Sequence, residues 1–295
     1  MSNLATLLDI LAATPWLLYP VVALFSLCIG SFLNVVILRL PKMMEQDWRC
    51  QCEEFLELPE KDRKPPERMT LSFPRSTCPS CGHQIRAWEN IPVISWLVLR
   101  GKCSSCKSPI SARYPIIEAV TAIFSLVTIF IFGPTLAGLW ALVLVWALIA
   151  LTVIDFDTQL LPDSITLPLL WLGLILNYFG ILADFQSAFW GAVAGYLALW
   201  SVYWLFKLVT GKEGMGHGDF KLLAALGAWL GWQLLPAVIL LSSVVGAVVG
   251  VSLIVFKRHG REVPIPFGPY LAAAGLLCLW FGPEIQAAWY GYLGV

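Results

Sequence analysis

The sequence predicts an all-α, polytopic membrane protein with about eight transmembrane helices. Two observations concern composition: of the 295 residues, 58% are hydrophobic and only 13% are charged. Soluble domains carry roughly 25% charged residues. The third observation is that Lys and Arg fall entirely within alternate loops between apolar runs. Apolar segments joined by loops that are basic on one side are typical of proteins that cross a bilayer several times.

Each predicted helix corresponds to one apolar run, and a spanning helix needs about 20 residues. The first run has no basic N-terminal region and no small-residue cleavage site, so it is interpreted as a helix and not as a signal peptide. The sixth run is short and the eighth is marginal, which leaves a re-entrant sixth element as the alternative. The runs cover residues 16–38, 115–133, 136–154, 165–182, 186–206, 222–231, 234–256 and 267–282.

The distribution of basic residues predicts the orientation of the chain. With eight crossings, one side holds the loops 39–114, 155–164, 207–221 and 257–266, and these contain all 19 Lys and Arg residues. Loops rich in Lys and Arg face the cytoplasm. We therefore expect both termini on the non-cytoplasmic side. The net charge is zero, so there is no electrostatic argument for a nucleic-acid partner.

Two polar residues inside the apolar runs need partners, because unsatisfied polar groups are costly in lipid. Asn34 lies near the end of the first run and is predicted to form an interhelical hydrogen bond. Glu118 lies just inside the second run, and Arg113 is the nearest basic candidate for its partner.

Four cysteines in the soluble segment 39–114 have the spacing of a metal site. Two C-x2-C pairs, Cys78 with Cys81 and Cys103 with Cys106, are separated by 21 residues. Two such turns present four thiolates to one ion and predict a closed, structural Zn²⁺ site. Disulfides are the alternative, and a reducing cytoplasm argues against them. His83 is interpreted as a turn residue beside a full set of ligands.

The remainder of the soluble segment is less informative. Cys50 and Cys52 have a C-x-C spacing that matches no common metal site, so they are interpreted as spare thiols. Residues 86–101, between the two cysteine pairs, are aromatic and apolar with few charges. Three placements stay open for them: packing on the cysteine turns, lying on the membrane, or forming a binding pocket.

Two aspartates are placed by the crossing pattern at the same face of the membrane. Asp155 follows the third apolar run, and Asp219 follows three glycines within residues 214–218. Two crossings separate the two acids, so both return to the cytoplasmic boundary. Pro162 and Asp163 predict a turn and an N-cap for the fourth helix.

Two carboxylates brought together at a poorly solvated site share a proton more readily than they both ionise. One then activates water as general base while the other protonates the carbonyl or the leaving amine. This is the chemistry of aspartic proteases. An ion-coupled transport site and structural helix caps are the competing interpretations of the two acids.

At these residues the sequence resembles the type IV prepilin peptidases, polytopic aspartic proteases marked by a Gly-x-Gly-Asp motif. Gly216-His217-Gly218-Asp219 fits that motif, and Ile154-Asp155 followed by Leu161-Pro162-Asp163 fits the other catalytic motif. The resemblance spans nearly the whole chain. Its further stretches are Gly30-Ser31-Phe32-Leu33-Asn34, both cysteine pairs, Glu89-Asn90-Ile91-Pro92, Arg113-Tyr114-Pro115, Glu118 and Pro264-Ile265-Pro266-Phe267-Gly268-Pro269.

The resemblance implies a bifunctional enzyme of the bacterial cytoplasmic (inner) membrane. Members of the family cleave the leader of type IV prepilins and type II secretion pseudopilins after a Gly. They then methylate the new N-terminal amine, commonly of Phe, with S-adenosylmethionine. The expected partners are these protein substrates and membrane lipid.

The resemblance also assigns residues and domains. It implies that Asp155 and Asp219 are the catalytic pair and that Gly101 and Lys102 mark a position tied to methylation. The predicted domains are 1–38, the first helix; 39–114, the methylation-associated four-cysteine segment; and 115–295, the transmembrane aspartic peptidase domain. No Gly-rich motif for the methyl donor is visible, so its pocket is not placed. His217 is given no role.

Two other functions stay open. A peptidase without methylation is disfavoured because the chain retains the four-cysteine segment. A non-enzymatic, zinc-responsive membrane transporter or receptor is disfavoured because both acids lie at the boundary, whereas transporter sites usually lie at the bilayer midplane.

Overall fold

The structure, a computed structural model, describes residues 2–59, 68–257 and 266–293, and these are almost entirely helical. Within that part of the chain there is no β-strand, only two isolated bridges. The α-helices are α1 (Ser2–Ala13), α2 (Pro15–Phe55), α3 (Ile94–Val98), α4 (Arg113–Phe132), α5 (Leu136–Thr158), α6 (Asp163–Tyr178), α7 (Phe185–Thr210), α8 (His217–Leu230), α9 (Leu235–Lys257) and α10 (Gly268–Leu293). Most of the predicted basic loop 257–266 lies outside the described residues.

Six of these helices are long and apolar enough to cross a membrane. They are α2, α4, α5, α7, α10 and the helical stretch Trp232–Ser252, which includes most of α9. The predicted spans at α6 and α8 are only 16 and 14 residues long, shorter than the roughly 20 residues that a perpendicular crossing needs. The helical membrane fold is therefore confirmed, but the count of eight spans is not.

The chain divides into two compact units, Met1–Phe130 and Ile131–Val295. In the first unit, α2 continues without a break for 41 residues, about 60 Å. It packs closely on α4, because a Cβ at Gly30 would lie 2.7 Å from Glu118 Cα. The Asn34 side chain donates a hydrogen bond to the Tyr114 carbonyl at 3.1 Å, which confirms the predicted interhelical bond.

The second unit is built around α8, whose side chains are buried along most of its length. Backbones of α7 and α8 touch at Gly191 and Gly227, where a side chain on either residue would overlap the other's carbonyl. On the α6 side, Trp229 Nε1 donates to the Leu169 carbonyl at 2.8 Å. Small residues at such crossings permit close helix packing in lipid. A short helix enclosed in this way is held by its neighbours, so its N-terminus has a fixed position.

Candidate active site and metal centre

Asp155 lies in the last turn of α5, and its side chain is buried. Its Oδ2 accepts a hydrogen bond from the Gly268 amide at 3.0 Å. Gly268 is the first residue of α10, and the amides of a first helical turn have no partner within their own helix. A carboxylate is therefore a favourable acceptor at this position. The contact requires glycine, because a Cβ at residue 268 would lie 2.6 Å from Asp155 Oδ2.

Asp219 is the third residue of α8 and is also buried. The helix begins after Gly216, so Asp219 lies in the first turn, where the helix dipole favours a negatively charged side chain. Gly218 allows another segment to approach this turn, since a Cβ there would lie 2.7 Å from Leu161 Cβ. Both glycines of the Gly-x-Gly-Asp motif thus have a direct structural role: Gly216 is the N-cap of the helix and Gly218 makes room for Leu161.

Leu161 lies beside the glycines that neighbour both aspartates. Its side chain packs against Gly218 beside Asp219, and its Cδ1 would lie 3.2 Å from a Cβ at Gly268 beside Asp155. The second unit therefore contains two buried acids, one in the first turn of α8 and one bonded to the first amide of α10, with Leu161 beside both helix N-termini.

The neighbouring charged residues have other partners. Asp163 was predicted as an N-cap, but the cap position is Pro162 and makes no side-chain cap bond. Asp163 lies in the first turn of α6 and forms an ion pair with Lys221 at 2.7 Å. This pair joins the starts of α6 and α8. His217 packs against Tyr203, with ring centroids 5.1 Å apart and the rings tilted by 60°.

The two cysteine pairs fold as equivalent turns. In the first, the Cys78 amide donates to the His83 carbonyl at 2.9 Å, and in the second the Cys103 amide donates to the Ser108 carbonyl at 2.9 Å. Each turn has a residue with positive φ four positions after its first cysteine, Gly82 at 70° and Lys107 at 61°. Two copies of one turn explain how distant stretches of chain present their thiols in the same geometry.

The four sulfur atoms form a cluster suited to one metal ion. All lie within 4.8 Å of one another, and no cysteine in the described chain forms a disulfide. A tetrahedral site with metal–sulfur bonds of about 2.3 Å separates its sulfurs by about 3.8 Å. Cys78 Sγ and Cys106 Sγ are 3.8 Å apart. The cluster can therefore bind a metal ion with little rearrangement.

Hydrogen bonding also prepares two of the four thiols, Cys78 and Cys106, for a metal. The Ser108 hydroxyl, followed by the amides of Ser80 and Cys81, lowers the pKa of Cys78 to about 6. Ser108 likewise lowers the pKa of Cys106. Because the thiolate is the form that binds a metal, these contacts favour the ligating state. Ser108 was not identified from the sequence, although it lies only two residues after Cys106.

His83 and Glu89 tie the two cysteine turns together. His83 Nε2 lies 3.2 Å from Glu89 Oε2 and 3.3 Å from the Ser104 hydroxyl. The Arg86 amide donates to Glu89 at 2.9 Å, and this bond is the main reason that the pKa of Glu89 falls to about 2. His83 therefore bonds to a carboxylate and a hydroxyl, which agrees with its interpretation as a turn residue.

Gly101 is fixed beside the second cysteine turn by Trp96. Its φ is +66°, and a Cβ there would lie 2.8 Å from the Trp96 ring. The Gly101 amide donates to the Trp96 carbonyl at 2.8 Å, and its own carbonyl accepts from the Ile110 amide at 2.7 Å. Any side chain at 101 is thus excluded twice, by backbone conformation and by contact with Trp96. Lys102 next to it is exposed.

Glu118 has a backbone partner that its sequence context did not indicate. Its Oε2 accepts a hydrogen bond from the Val93 amide at 2.7 Å. Val93 has φ +60°, which is rare for a β-branched residue. The sequence suggested Arg113 as the partner. A backbone amide 25 residues away could not be recognised, because every non-proline residue has one.

The first unit also contains an open cavity of about 480 Å³, within the range of small-molecule sites. One wall is the end of α2, and the other is a loop that Arg39 holds through the Thr70 carbonyl at 2.9 Å. The lining residues are Met43, Gln46, Asp47, Arg68, Met69, Thr70 and Phe73. The lining combines an acid, a guanidinium, two thioethers and an aromatic ring.

The fold, the paired acids and the thiol cluster define a helical membrane protein with a candidate aspartic peptidase site and a separate metal centre. Residues 24–132 match the bacterial peptidase A24 N-terminal domain, and residues 142–251 match the type IV leader peptidase family. The chain belongs to the type IV leader peptidase family.

Curated relatives are similar over nearly their whole length. A prepilin leader peptidase/N-methyltransferase of Stutzerimonas stutzeri is 56% identical, over 96% of this chain and 98% of the relative. Proteins of the same name from Aeromonas hydrophila and Pseudomonas aeruginosa are 54% and 53% identical, over 97% and 98% of this chain and 98% and 99% of the relatives. No solved structure matches the chain.

Proposed function

We propose that this protein cleaves the leader of type IV prepilins and type II secretion pseudopilins after a Gly and then methylates the new N-terminal residue, commonly Phe. The observation that supports it most is that Asp155 and Asp219 are both buried, each at a helix N-terminus that borders Leu161. The relatives' names support both activities, and membership of their family argues against the transporter or receptor alternative.

Peptide cleavage needs one carboxylate that accepts a proton and one that donates it. Asp155 is assigned as the base, because its Oδ2 already accepts the Gly268 amide and is held as an acceptor. It takes a proton from water as the water oxygen attacks the scissile carbonyl carbon. Asp219 is assigned as the acid that protonates the carbonyl oxygen. When the C–N bond breaks, Asp155 passes the proton taken from water to the amine of the new N-terminus. One hydroxyl of the tetrahedral intermediate returns its proton to Asp219 as the new carboxyl group forms.

Location supports this substrate. A prepilin has an apolar helix with a basic leader on the cytoplasmic side, so its scissile bond lies at the membrane edge. We infer that α6 and α8 also cross, so that all loops rich in Lys and Arg face the cytoplasm, that both termini lie on the other side, and that the membrane is the bacterial inner membrane. Both aspartates then lie at the cytoplasmic boundary, where the leader emerges.

Methylation is assigned to the first unit, with S-adenosylmethionine as donor. The amine, once it has lost a proton, forms a bond to the methyl carbon. The carbon–sulfur bond breaks with its electron pair going to sulfur, and S-adenosylhomocysteine leaves. We place the donor in the cavity at the end of α2, because Asp47 and Arg68 suit its ammonium and carboxylate and Phe73 suits its base.

The four cysteines are proposed to hold a structural Zn²⁺. Their donor set fills a tetrahedral ion completely, so the metal would fold the segment and take no part in the chemistry. Gly101 and Lys102 are proposed to mark the methylation site beside this centre.

The test is incubation of purified protein with a prepilin, with and without S-adenosylmethionine, followed by intact-mass measurement. We expect loss of the leader in both samples and the added mass of one methyl group only with the donor. An uncleaved substrate would refute the peptidase function, and a cleaved but unmodified product would leave a peptidase alone.

A further inference from the structure

An apolar surface projects from the segment between the two cysteine turns. Its residues are Trp88, Ile91, Ile94, Leu97 and Val98, here called the apolar face, with exposed fractions of 62%, 44%, 53%, 60% and 74%. Ile94, Leu97 and Val98 have the i, i+3, i+4 spacing that places side chains on one side of a helix. Large apolar side chains exposed together in one short segment indicate a contact with another apolar phase or molecule.

The opposite side of α3 already has a partner within the protein. Trp96 packs on Gly101, and its Nε1 donates to the Ile110 carbonyl at 3.2 Å. The short helix is therefore fixed on the second cysteine turn by one side, and the apolar face points away from it. Because Trp96 holds α3 on the second cysteine turn, the side chains on the other side of the helix stay exposed.

The attachment to α4 sets the height of the apolar face. Val93, between Ile91 and Ile94, donates its amide to Glu118 at 2.7 Å. Glu118 is the sixth residue of α4, a candidate membrane span, and lies about 8 Å along the helix from its start. A backbone segment bonded one to two turns inside a spanning helix lies at the level of the lipid headgroups.

Charge and residue type at the edge of the apolar face suit a lipid surface. Arg86, Arg100 and Lys102, which flank it in the sequence, are exposed, and the guanidinium of Arg86 lies 5.2 Å from the centre of the Trp88 ring. The acid within the segment, Glu89, is occupied by the Arg86 amide and His83. Tryptophan and basic residues beside an apolar face are typical of segments that lie in a membrane interface and favour anionic lipids.

We propose that the apolar face inserts into the cytoplasmic leaflet and seats the four-cysteine segment on the membrane. Glu118 and the positive-φ conformation of Val93 hold the segment at that depth. The consequence is a metal-stabilised domain that rests on lipid as well as on the ends of α2 and α4. This proposal stands apart from catalysis and is tested without substrate turnover.

The first test uses the unaltered chain in nanodiscs of phosphatidylethanolamine and phosphatidylglycerol. Hydroxyl radicals generated in water modify exposed tryptophans. Trp88 is 62% exposed in the protein and Trp48, on the cytoplasmic end of α2, is 46% exposed. We expect Trp88 to be modified at least several-fold more slowly than Trp48, because lipid shields it. Modification of Trp88 as fast as Trp48 would overturn the proposal.

The second test identifies what covers the apolar face. A benzophenone amino acid is placed at Leu97 or Val98, with Ser105, exposed on the second cysteine turn, as the control site. A prepilin is included in the nanodisc sample before illumination. We expect lipid adducts at Leu97 and Val98 and none at Ser105. Adducts to the prepilin without lipid adducts would mean that the apolar face is a substrate surface, and equal lipid labelling at all three sites would mean that it has no preferred contact; either result overturns the proposal.

Discussion

The Gly268 amide donates a hydrogen bond to Asp155 Oδ2 at 3.0 Å, across 113 positions of the sequence. This contact joins the end of α5 to the start of α10 and fixes one oxygen of the base assigned above. It also explains why residue 268 is a glycine, because the Asp155 carboxylate occupies the space that a side chain would need.

Gly268→Ala is therefore expected to reduce cleavage without unfolding the protein. Its Cβ would lie 2.6 Å from Asp155 Oδ2, so the carboxylate must move, and misplacement by about 1 Å costs roughly a hundredfold in rate. We expect kcat/KM for prepilin cleavage to fall at least about tenfold. Gly291→Ala on the same helix is the control, since nothing lies within 4 Å of its Cβ. Equal activity of the two variants would contradict this role for Gly268.

Gly101→Ala is expected to impair methylation and leave cleavage intact. The substitution combines a positive φ with a contact of 2.8 Å to Trp96, so the second cysteine turn and α3 must shift. We expect methylation to fall at least about tenfold, in line with a cost of roughly 1–3 kcal/mol for such strain. Gly82→Ala separates the two causes, because Gly82 has φ +70° but open space around its Cβ. If both variants lose methylation equally, the loss comes from the backbone conformation alone, and the contact with Trp96 has no role.

Metal removal is expected to abolish methylation but not leader cleavage. Cys106→Ser deletes one of four sulfurs that lie within 4.8 Å of one another, and metal binding to such sites is itself folding energy. Elemental analysis should find one Zn²⁺ per chain in the unaltered protein and much less in the variant or after treatment with a chelator. Cys50→Ser, which lies outside the cluster, should keep the metal. Full metal content in Cys106→Ser would refute the four-cysteine site.

The cavity at the end of α2 gives a prediction for the methyl donor. Arg68→Gln or Asp47→Asn should raise the Kd for S-adenosylmethionine roughly tenfold or more, because hydrogen bonds to charged groups contribute about 1.5–3 kcal/mol. Arg75→Gln and Glu45→Gln are matched controls, exposed and outside the lining. Donor binding by all four variants at the affinity of the unaltered protein would remove the cavity assignment and leave the methyltransferase function standing.

Much of the site could be predicted because its parts are side chains with regular spacing. The cysteine pairs are recognised by their C-x2-C spacing. Asn34 and the two acids are recognised because polar side chains are rare in or beside apolar runs. Gly268 lies in a stretch that the family resemblance already included, but its role could not be inferred, because it acts through its backbone amide. The same holds for Val93, whose amide binds Glu118.

Length and continuity of the helices were harder to predict. Hydropathy already marked the sixth apolar run as short, but it does not show that α8 begins at His217 and is enclosed by α6, α7 and α10. Likewise the polar stretch after residue 38 has no apolar run, yet α2 continues through it to Phe55. Tertiary packing and helix propagation decide these boundaries, and neither leaves a local hydropathy signal.

The paired-acid account is tested most directly by prepilin cleavage in three purified variants, Asp155→Asn, Asp219→Asn and Asp157→Asn, each first shown to melt at the same temperature as the unaltered protein. Asp157 lies on the same helix as Asp155 but is exposed, so it controls for loss of a charge. We predict that Asp155→Asn and Asp219→Asn each lose at least about a hundredfold in kcat/KM, the scale of acid–base catalysis, whereas Asp157→Asn keeps its activity. Normal cleavage by either of the first two variants would contradict the account.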